Sequence, residues 1–354
     1  MSVLSRTSLL PTLLAVVLSA AGGGVAHLLG LPAAWLMGGA LAVSVAAIAG
    51  VPLAMPDWLR NIVFVLIGMS MGASVHPDSL TLLGQWPISL AALAIELVII
   101  VAATGWMLTR LFRLDAGTAY LSSFPGHLSL VMGIAASGVG NPRQIVVIQV
   151  IRIMMLTIAV PVGAIFLPIA HFEAAQTSLF LPPLHLALLA AGCAAAGLAG
   201  DALRIPAGMV LGAMAAATGA KLGGLYVGGL PPMLVTATFI LTGALIGTRF
   251  LGLTRGELRS AATGGLIATA MTVAIVTVVA LVVTALVGMP FGQVWLALSP
   301  GALEGMGALG IALGYDTAFI AAHHVIRLLM LSFAIPAVAF IIRRMERRAQ
   351  ESRN

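Results

Sequence analysis

Charge is the scarcest property of this sequence, since only 8% of its 354 residues are charged. Soluble globular proteins carry about 25% charged residues, so a soluble enzyme or a soluble binding domain is excluded. Cysteine is almost absent as well, and the one cysteine, Cys193, excludes an internal disulfide and a cysteine-based metal cluster. We expect Cys193 to act as a small packed apolar residue.

Hydrophobic residues make up 60% of the chain, and the mean hydropathy is +1.12. Apolar runs of about 20 residues recur along the whole sequence, which predicts a polytopic helical membrane protein. A transmembrane β-barrel would show short alternating segments instead. The predicted spans are 8–29, 31–50, 58–75, 87–110 and 143–168 in the first half, and 182–200, 205–221, 232–250, 262–287 and 317–342 in the second. Two further apolar segments, 117–139 and 292–314, are each broken by a Pro-Gly pair.

The second half of the sequence repeats the first at an offset of 175 residues. Between 125–161 and 300–336, 11 of 37 positions are identical without a gap, which indicates an internal duplication. We therefore divide the chain into a first membrane repeat, 1–174, and a second, 175–354, which ends in a basic tail at 343–354. Residues 1–30 could pass for a signal peptide, but their counterpart in mid-chain favours a membrane helix.

Basic residues are distributed asymmetrically along this pattern. If both broken segments turn back within the membrane, 14 of the 17 Lys and Arg residues fall on one side, which the positive-inside rule assigns to the cytoplasm. Each repeat then has five spans, so the two repeats face opposite ways, as in inverted-repeat secondary transporters. This predicts an all-α polytopic membrane protein with two inverted repeats, a re-entrant segment in each repeat and cytoplasmic termini. The net charge of +6 reflects these topology signals, and we expect no direct contact with nucleic acid.

Two arginines lie deep inside predicted spans. Arg152 and Arg327 occupy equivalent positions about 14 and 15 Å along their helices, where an arginine costs roughly 3 kcal/mol on insertion scales. One interpretation is a pair of anchors for a small anionic solute, because the guanidinium fork fits carboxylate or phosphate. Replacement by alanine should then abolish transport in a folded protein. The alternative is a structural tie to Glu96, to Glu304 or to exposed carbonyls at the broken segments.

Other polar residues near the breaks are candidates for solute binding or ion coupling. Glu304, in the stretch 299-SPGALEGMG-307, could carry a proton, ligate a cation or pair with Arg327. Glu96 is a lone acid whose repeat counterpart is Met271, and it is a candidate for coupling to H⁺ or Na⁺. The remaining candidates are Pro125, Gly126, Pro300 and Gly301 at the breaks, the nearby His127, Gln149, His323 and His324, and Asn141 and Asp316. The histidines could shuttle protons or bond neutrally to a neighbouring helix, and Asn141 and Asp316 could be helix N-caps.

Glycine spacing is the last structural signal in the sequence. Gly68 and Gly72 have GxxxG spacing, as do their counterparts Gly243 and Gly247. We expect packing within the protein, with a homodimer as the alternative. The sequence contains no Walker-type phosphate loop, no zinc-ligand spacing and no catalytic triad, which predicts a protein without a cofactor, a bound metal or enzymatic activity.

The doubled pattern resembles the AbrB family of bacterial inner-membrane proteins. It consists of Pro-Gly, a short helix of small residues, Asn or Asp, and a span with a central Arg and a final Pro. The two copies run 125-PGHLSLVMGIAASGVGNPRQIVVIQVIRIMMLTIAVP-161 and 300-PGALEGMGALGIALGYDTAFIAAHHVIRLLMLSFAIP-336. The first copy departs from the family pattern at His127, Ser129 and Asn141. The resemblance implies a duplication over nearly the whole chain and a location in the bacterial inner membrane.

Members of that family are often labelled ammonia monooxygenases or regulators of gene expression, and the family is similar in architecture to inverted-repeat transporters. A monooxygenase needs a copper or iron site, for which only His323 and His324 form a local pair. A direct gene regulator needs a DNA-binding segment, which the sequence lacks. We therefore expect a secondary transporter of a small anionic solute in a lipid bilayer, coupled to H⁺ or Na⁺. The alternative is a membrane regulator or sensor that affects gene expression without transport.

Overall fold

The computed structural model describes residues 6–75, 84, 86–126, 128–164, 166–167, 180–251 and 255–351. The predicted site residue His127 lies outside these ranges. The first-repeat helices are α1 (Arg6–Leu28), α2 (Ala34–Ile48), α3 (Asp57–Ser74), α4 (Trp86–Leu111), α5 (Ala116–Ser123), α6 (Leu128–Ala136) and α7 (Pro142–Ala164). The second-repeat helices are α8 (Pro183–Ala202), α9 (Gly208–Leu222), α10 (Pro232–Gly247), α11 (Arg255–Val287), α12 (Phe291–Leu298), α13 (Leu303–Leu313) and α14 (Thr317–Glu351). No β-strand occurs in the described ranges, so the all-α class is confirmed.

Each of the ten predicted spans coincides with a helix, namely α1 to α4 and α7 in the first repeat and α8 to α11 and α14 in the second. Six of the described helices are long and apolar enough to cross a membrane, and the chain is therefore a polytopic membrane protein. Helices α2 and α9 have 15 residues each, or about 22 Å, which is shorter than the hydrocarbon core of about 30 Å. The ten crossings, the inverted orientation and the sidedness of the termini stay predictions.

Both predicted breaks are interruptions between two short helices. Pro125-Gly126 separates α5 from α6, and Pro300-Gly301 separates α12 from α13. Proline interrupts a helix because it lacks a backbone N–H and clashes with the preceding turn. Gly126 has a φ of 136°, a conformation that residues with a Cβ avoid. The two Pro-Gly pairs therefore act as local helix breakers, as the sequence predicts.

Two compact units make up the fold, and each unit takes helices from both sequence repeats. Unit 1 comprises residues 1–84, 158–253 and 302–322, and unit 2 comprises 85–157, 254–301 and 323–354. The compact units therefore do not coincide with the repeats 1–174 and 175–354. Helix α13 belongs to unit 1, whereas its repeat counterpart α6 belongs to unit 2.

Helix pairings within unit 1 recur with the sequence repeat. Helix α1 packs against α2 and α8 against α9, while α3 packs against α9 and α10 against α2. A Cβ at Gly68 would overlap the carbonyl oxygen of Val210, and a Cβ at Gly243 would lie 3.0 Å from the carbonyl oxygen of Leu36. The GxxxG pairs therefore let helix backbones approach closely inside the protein. Internal packing of these glycines is confirmed, and dimerisation stays a separate prediction.

Substituting Gly68 with alanine is expected to destabilise unit 1 by about 1–3 kcal/mol, because the added methyl group overpacks the contact between α3 and α9. The matched control is Gly219→Ala on α9, where an added Cβ meets no atom within 4 Å. A thermal-unfolding series of both variants in detergent measures the difference. Equal unfolding midpoints for the two variants would contradict the close approach at Gly68.

Unit 2 places apolar side chains around the first break. Helix α4 packs against α11 and α5, and α11 also packs against α12. The buried core around Phe124 includes Leu97, Leu121, Val131 and Leu331. Backbone groups freed by a broken helix inside such a core cannot reach lipid or bulk solvent for hydrogen bonds, so protein groups or an enclosed cavity must satisfy them. The side chains that do so form the candidate site.

Candidate functional site

Arg152 lies on α7 with 4% of its surface exposed, and it holds the end of α5. Its Nη1 donates to the carbonyl oxygen of Ser122 at 3.1 Å. One turn earlier on α7, Nε2 of Gln149 donates to the carbonyl oxygen of Leu121 at 3.0 Å. The last carbonyls of a helix have no partner within that helix. Arg152 and Gln149 therefore satisfy the C-terminal carbonyls of the first half-helix.

Arg327 repeats this arrangement on α14, where it is 3% exposed. Its Nη2 donates to the carbonyl oxygen of Ala297 at 3.0 Å and its Nη1 to that of Ser299 at 2.6 Å. Nε2 of His324 lies 3.1 Å from the carbonyl oxygen of Leu296. Leu296, Ala297 and His324 are the repeat counterparts of Leu121, Ser122 and Gln149, which lie at the end of α5 and on α7. Equivalent positions in both repeats thus hold equivalent carbonyls, and a cation at a helix C-terminus is also favoured by the helix dipole.

The contacts of His324 assign the tautomer of its ring. A carbonyl oxygen only accepts hydrogen bonds, so Nε2 carries the hydrogen that is donated to Leu296. Nδ1 then has a free lone pair, and it accepts from Nη2 of Arg327 at 3.2 Å. A protonated ring would instead turn an N–H group towards the guanidinium. The geometry therefore favours a neutral histidine bonded to a neighbouring helix over a proton shuttle.

Five buried polar atoms of unit 2 have no hydrogen-bond partner among the described residues and belong to this arrangement. They are Oε2 of Glu96, Oγ of Ser122, Oε1 of Gln149, Oγ of Ser299 and Nε of Arg327. Glu96 is 1% exposed on α4. Buried polar groups are nearly always hydrogen-bonded. These five polar atoms at the broken helices could form hydrogen bonds with a ligand, so this part of unit 2 is the candidate ligand site.

Asn141 and Asp316 both act as helix N-caps. Oδ1 of Asn141 accepts hydrogen bonds from the backbone N–H groups of the second and third residues of α7, at 3.0 and 3.3 Å. Oδ1 of Asp316 does the same for α14, at 2.9 and 3.4 Å. The capping interpretation is thus confirmed at both positions, and these contacts account for an Asn in one repeat and an Asp in the other.

Glu304 lies in the first turn of α13, in unit 1, and its carboxylate forms an ion pair with Arg249. The Glu304 side chain is 10% exposed and the Arg249 side chain 32% exposed. An ion pair with Arg327 was one of three hypotheses for Glu304, and the observed partner is Arg249. Arg249 was not among the residues predicted from the sequence. The sequence signal for this ion pair is that both of its partners differ from their counterparts in the first repeat. Ser74 and Ser129 occupy the positions equivalent to Arg249 and Glu304.

The remaining predicted residues lie at or near the breaks. Pro125 is buried, while Gly126, Pro300 and Gly301 are partly buried. Nε2 of His323 lies 2.8 Å from Oγ of Ser89 on α4, so this histidine contacts a different helix from its neighbour His324. Ser122 and Ser299 were not predicted either, because buried serines are common in helical membrane segments and these two have no distinctive spacing.

The region that contains both breaks and both buried arginines matches a known family. A family model described as "Transition state regulatory protein AbrB" covers residues 35–343. The chain belongs to the AbrB family. This AbrB-family chain is 28% identical over 319 residues to "Putative regulator AbrB" of Escherichia coli (strain K12), across 88% of this chain and 90% of that protein. It is 24% identical over 358 residues to "Uncharacterized protein YhjN" of Bacillus subtilis (strain 168), across 93% of this chain and 92% of that protein.

Proposed function

We propose that this AbrB-family protein is a secondary transporter of a small anionic solute that works by alternating access. The observation that carries the proposal is found in unit 2, where the C-terminal ends of α5 and α12 are arranged alike in the two repeats. In each repeat a buried arginine donates to carbonyl oxygens next to a Pro-Gly break, Arg152 at α5 and Arg327 at α12. Broken helices in equivalent positions of two repeats are the usual site of solute and ion binding in secondary transporters.

The charge balance around the broken helices supports an anion as the solute. Arg152 and Arg327 contribute two buried positive charges, whereas Glu96 is the one buried acid described on α4. With neutral histidines, the two arginines outnumber this single acid, so net positive charge remains, and an anion would offset it. Uncompensated charge at this depth is costly, so the anion would stabilise the site that binds it.

The described contacts alter the role expected of the arginines. In one of the two interpretations of the sequence, each guanidinium fork binds the solute directly. Nη1 of Arg152 and both Nη atoms of Arg327 instead donate to backbone carbonyls, as in the other interpretation. The arginines would therefore act on an anion mainly through their electrostatic field and through Nε of Arg327. The broken backbone that they hold in place would provide the walls of the site.

A membrane-embedded regulator or sensor that binds its ligand without moving it is the second candidate. It is supported by the family description and by the name of the Escherichia coli relative, both of which contain the word regulator or regulatory. Regulation of gene expression would then be indirect, through a partner or through the bound solute. The two candidates differ in one observable, which is net flux of the solute across a bilayer.

Flux measurements in proteoliposomes test the proposal. Purified protein would be reconstituted and supplied with radiolabelled acetate, lactate, succinate, glutamate or inorganic phosphate, with protein-free liposomes as the blank. We expect uptake of at least one of these anions, and unchanged uptake by Arg343→Ala, since Arg343 is exposed. Binding of an anion in a thermal-shift assay without any flux would support the sensor instead. Neither binding nor flux for the whole panel would contradict the anionic solute.

A further inference from the structure

We infer that one end of unit 2 binds the phosphate groups of anionic phospholipids. The surface that does so, which we name the arginine surface, consists of four exposed side chains on or next to α4, α7 and α14: Arg110, Arg113, Arg143 and Arg344. Its basis is that hydrogen bonds and core contacts bring these arginines to the same end of unit 2, beside exposed apolar side chains. The inference holds equally for a transporter and for a sensor, so it does not depend on the proposed function.

Two turns of unit 2 lie against each other and bring three of these arginines to one end of the unit. Two of the arginines lie at the end of α4 or in the turn after it, and the third lies at the start of α7. The backbone N–H of Asn141, just before α7, donates to Oγ1 of Thr118 in α5 at 2.7 Å. A Cβ added at Gly117 of α5 would lie 2.6 Å from the backbone N of Gly140. The start of α5 and the turn before α7 are therefore in direct backbone contact.

The last part of α14 joins the same end of unit 2 through Arg343. Its Nη2 donates to the carbonyl oxygen of Ser137 at 2.9 Å and to Oγ of the same residue at 2.5 Å. Ile342 and Val139 also lie in one buried core, so α14 is held against the turn between α6 and α7 by apolar contacts as well. Because Arg343 is bonded to Ser137, we do not count it among the phosphate-binding arginines. Arg344 is the next residue of α14, and its side chain is exposed.

Positive charge on the arginine surface is not balanced by ion pairs. Among the described side chains, none of its four arginines forms an ion pair. The acid that follows Arg113, Asp115, caps α5, and its Oδ2 accepts from the backbone N–H of Thr118 at 2.8 Å. In unit 1, by contrast, Arg60 pairs with Asp57. A topology signal requires basic residues on one side of the membrane but not their convergence, whereas converging cations favour an anionic ligand.

The position of the arginine surface favours a lipid headgroup over a soluble phosphate. The candidate membrane spans of α4 and α14 end at Leu111 and Arg344, where headgroups would lie. Leu111, Trp106 on α4 and Phe340 on α14 are all exposed, so apolar surface lies next to the arginines. A phospholipid can contact both, because its phosphate fits the guanidinium fork and its acyl chains cover the apolar side chains. Basic clusters at the ends of membrane helices bind anionic headgroups in this way.

Quenching of tryptophan fluorescence by brominated phospholipids tests the inference. Trp106 is exposed and lies about 6 Å before Arg110 along the axis of α4. Purified protein would be reconstituted into phosphatidylcholine bilayers that contain increasing fractions of brominated phosphatidylglycerol or, for comparison, of brominated phosphatidylcholine. The fluorescence that Trp106→Phe removes reports on the lipid next to the arginine surface. We expect brominated phosphatidylglycerol to bind there about fivefold more strongly, since one arginine at an anionic headgroup accounts for about that factor.

Arg110→Gln combined with Arg113→Gln should abolish the preference for phosphatidylglycerol. Arg60→Gln is the matched control, because Arg60 lies in unit 1 and pairs with Asp57, and this variant should keep the preference. Equal binding of the two brominated lipids by wild-type protein, or an unchanged preference in the double variant, would overturn the inference. Displacement of brominated phosphatidylglycerol by free glycerol 3-phosphate would also overturn it, because the surface would then bind a soluble phosphate. If the double variant fails to fold, the comparison of the two lipids on wild-type protein still decides the question.

Discussion

Arg327→Ala is expected to abolish anion flux and to destabilise the protein by about 3–5 kcal/mol. The substitution leaves the carbonyl oxygens of Ala297 and Ser299 and Nδ1 of His324 without the donors they have in the wild-type protein. Each buried polar group left without a partner costs about 1–3 kcal/mol. Thermal unfolding in detergent measures the stability, and the proteoliposome assay measures the flux.

The matched control for Arg327→Ala is Arg343→Ala on the same helix. Arg343 is exposed and donates to Ser137, so its loss should change stability by no more than about 0.5 kcal/mol. Arg327→Lys should recover part of the stability, since an ammonium group keeps the charge but lacks the planar fork. An unchanged unfolding midpoint with lost flux would mean that Arg327 serves the solute alone, as in the anchor interpretation of the sequence.

Gly126→Ala is expected to have the second largest effect, with a loss of about 2–3 kcal/mol and reduced anion flux. The backbone φ of 136° at Gly126 lies in a region that residues with a Cβ avoid, at a cost of about 1–3 kcal/mol. An added Cβ would also lie 3.1 Å from Leu331, which is closer than ordinary van der Waals contact. Unfolding midpoints and flux rates of the purified variant measure both effects.

The repeat counterpart provides the control for Gly126→Ala. Gly301 occupies the same position in the second break and is not among the residues with positive φ. Gly301→Ala should therefore destabilise the protein less than Gly126→Ala. Equal losses for the two variants would show that the left-handed conformation at Gly126 is not the source of the effect.

Helix positions and helix breaks could be predicted because their causes are local. The length of an apolar run sets where a membrane helix can form, and Pro-Gly interrupts a helix wherever it occurs. All ten predicted spans and both breaks, at Pro125-Gly126 and Pro300-Gly301, accordingly match the structure. The N-caps Asn141 and Asp316 could be predicted for the same reason, since a cap bonds to residues two and three positions along the chain.

The candidate site was predicted in part. Arg152 and Arg327 were predicted as site residues because they lie deep along their helices. A structural tie to exposed carbonyls was one of the two interpretations of these arginines. The sequence did not predict which carbonyls accept, because Ser299 and Ala297 lie 28 and 30 residues from Arg327. It also did not predict the ion pair of Glu304 with Arg249, which lies 55 residues away. Such side-chain contacts depend on which helices pack against each other. Because the apolar segments are similar in composition, the sequence is compatible with many different helix neighbours.

The membrane class, the helix positions, the duplication and the two breaks were therefore accessible from residue order, since each depends on hydrophobic length, helix breakers or recurrence along the chain. The interleaving of both repeats in each compact unit, the carbonyl contacts of the arginines and the burial of Glu96 depended on folding. The physical reason is that buried charges are stabilised by partners brought from distant segments, and the identity of those partners is a property of helix packing rather than of local sequence.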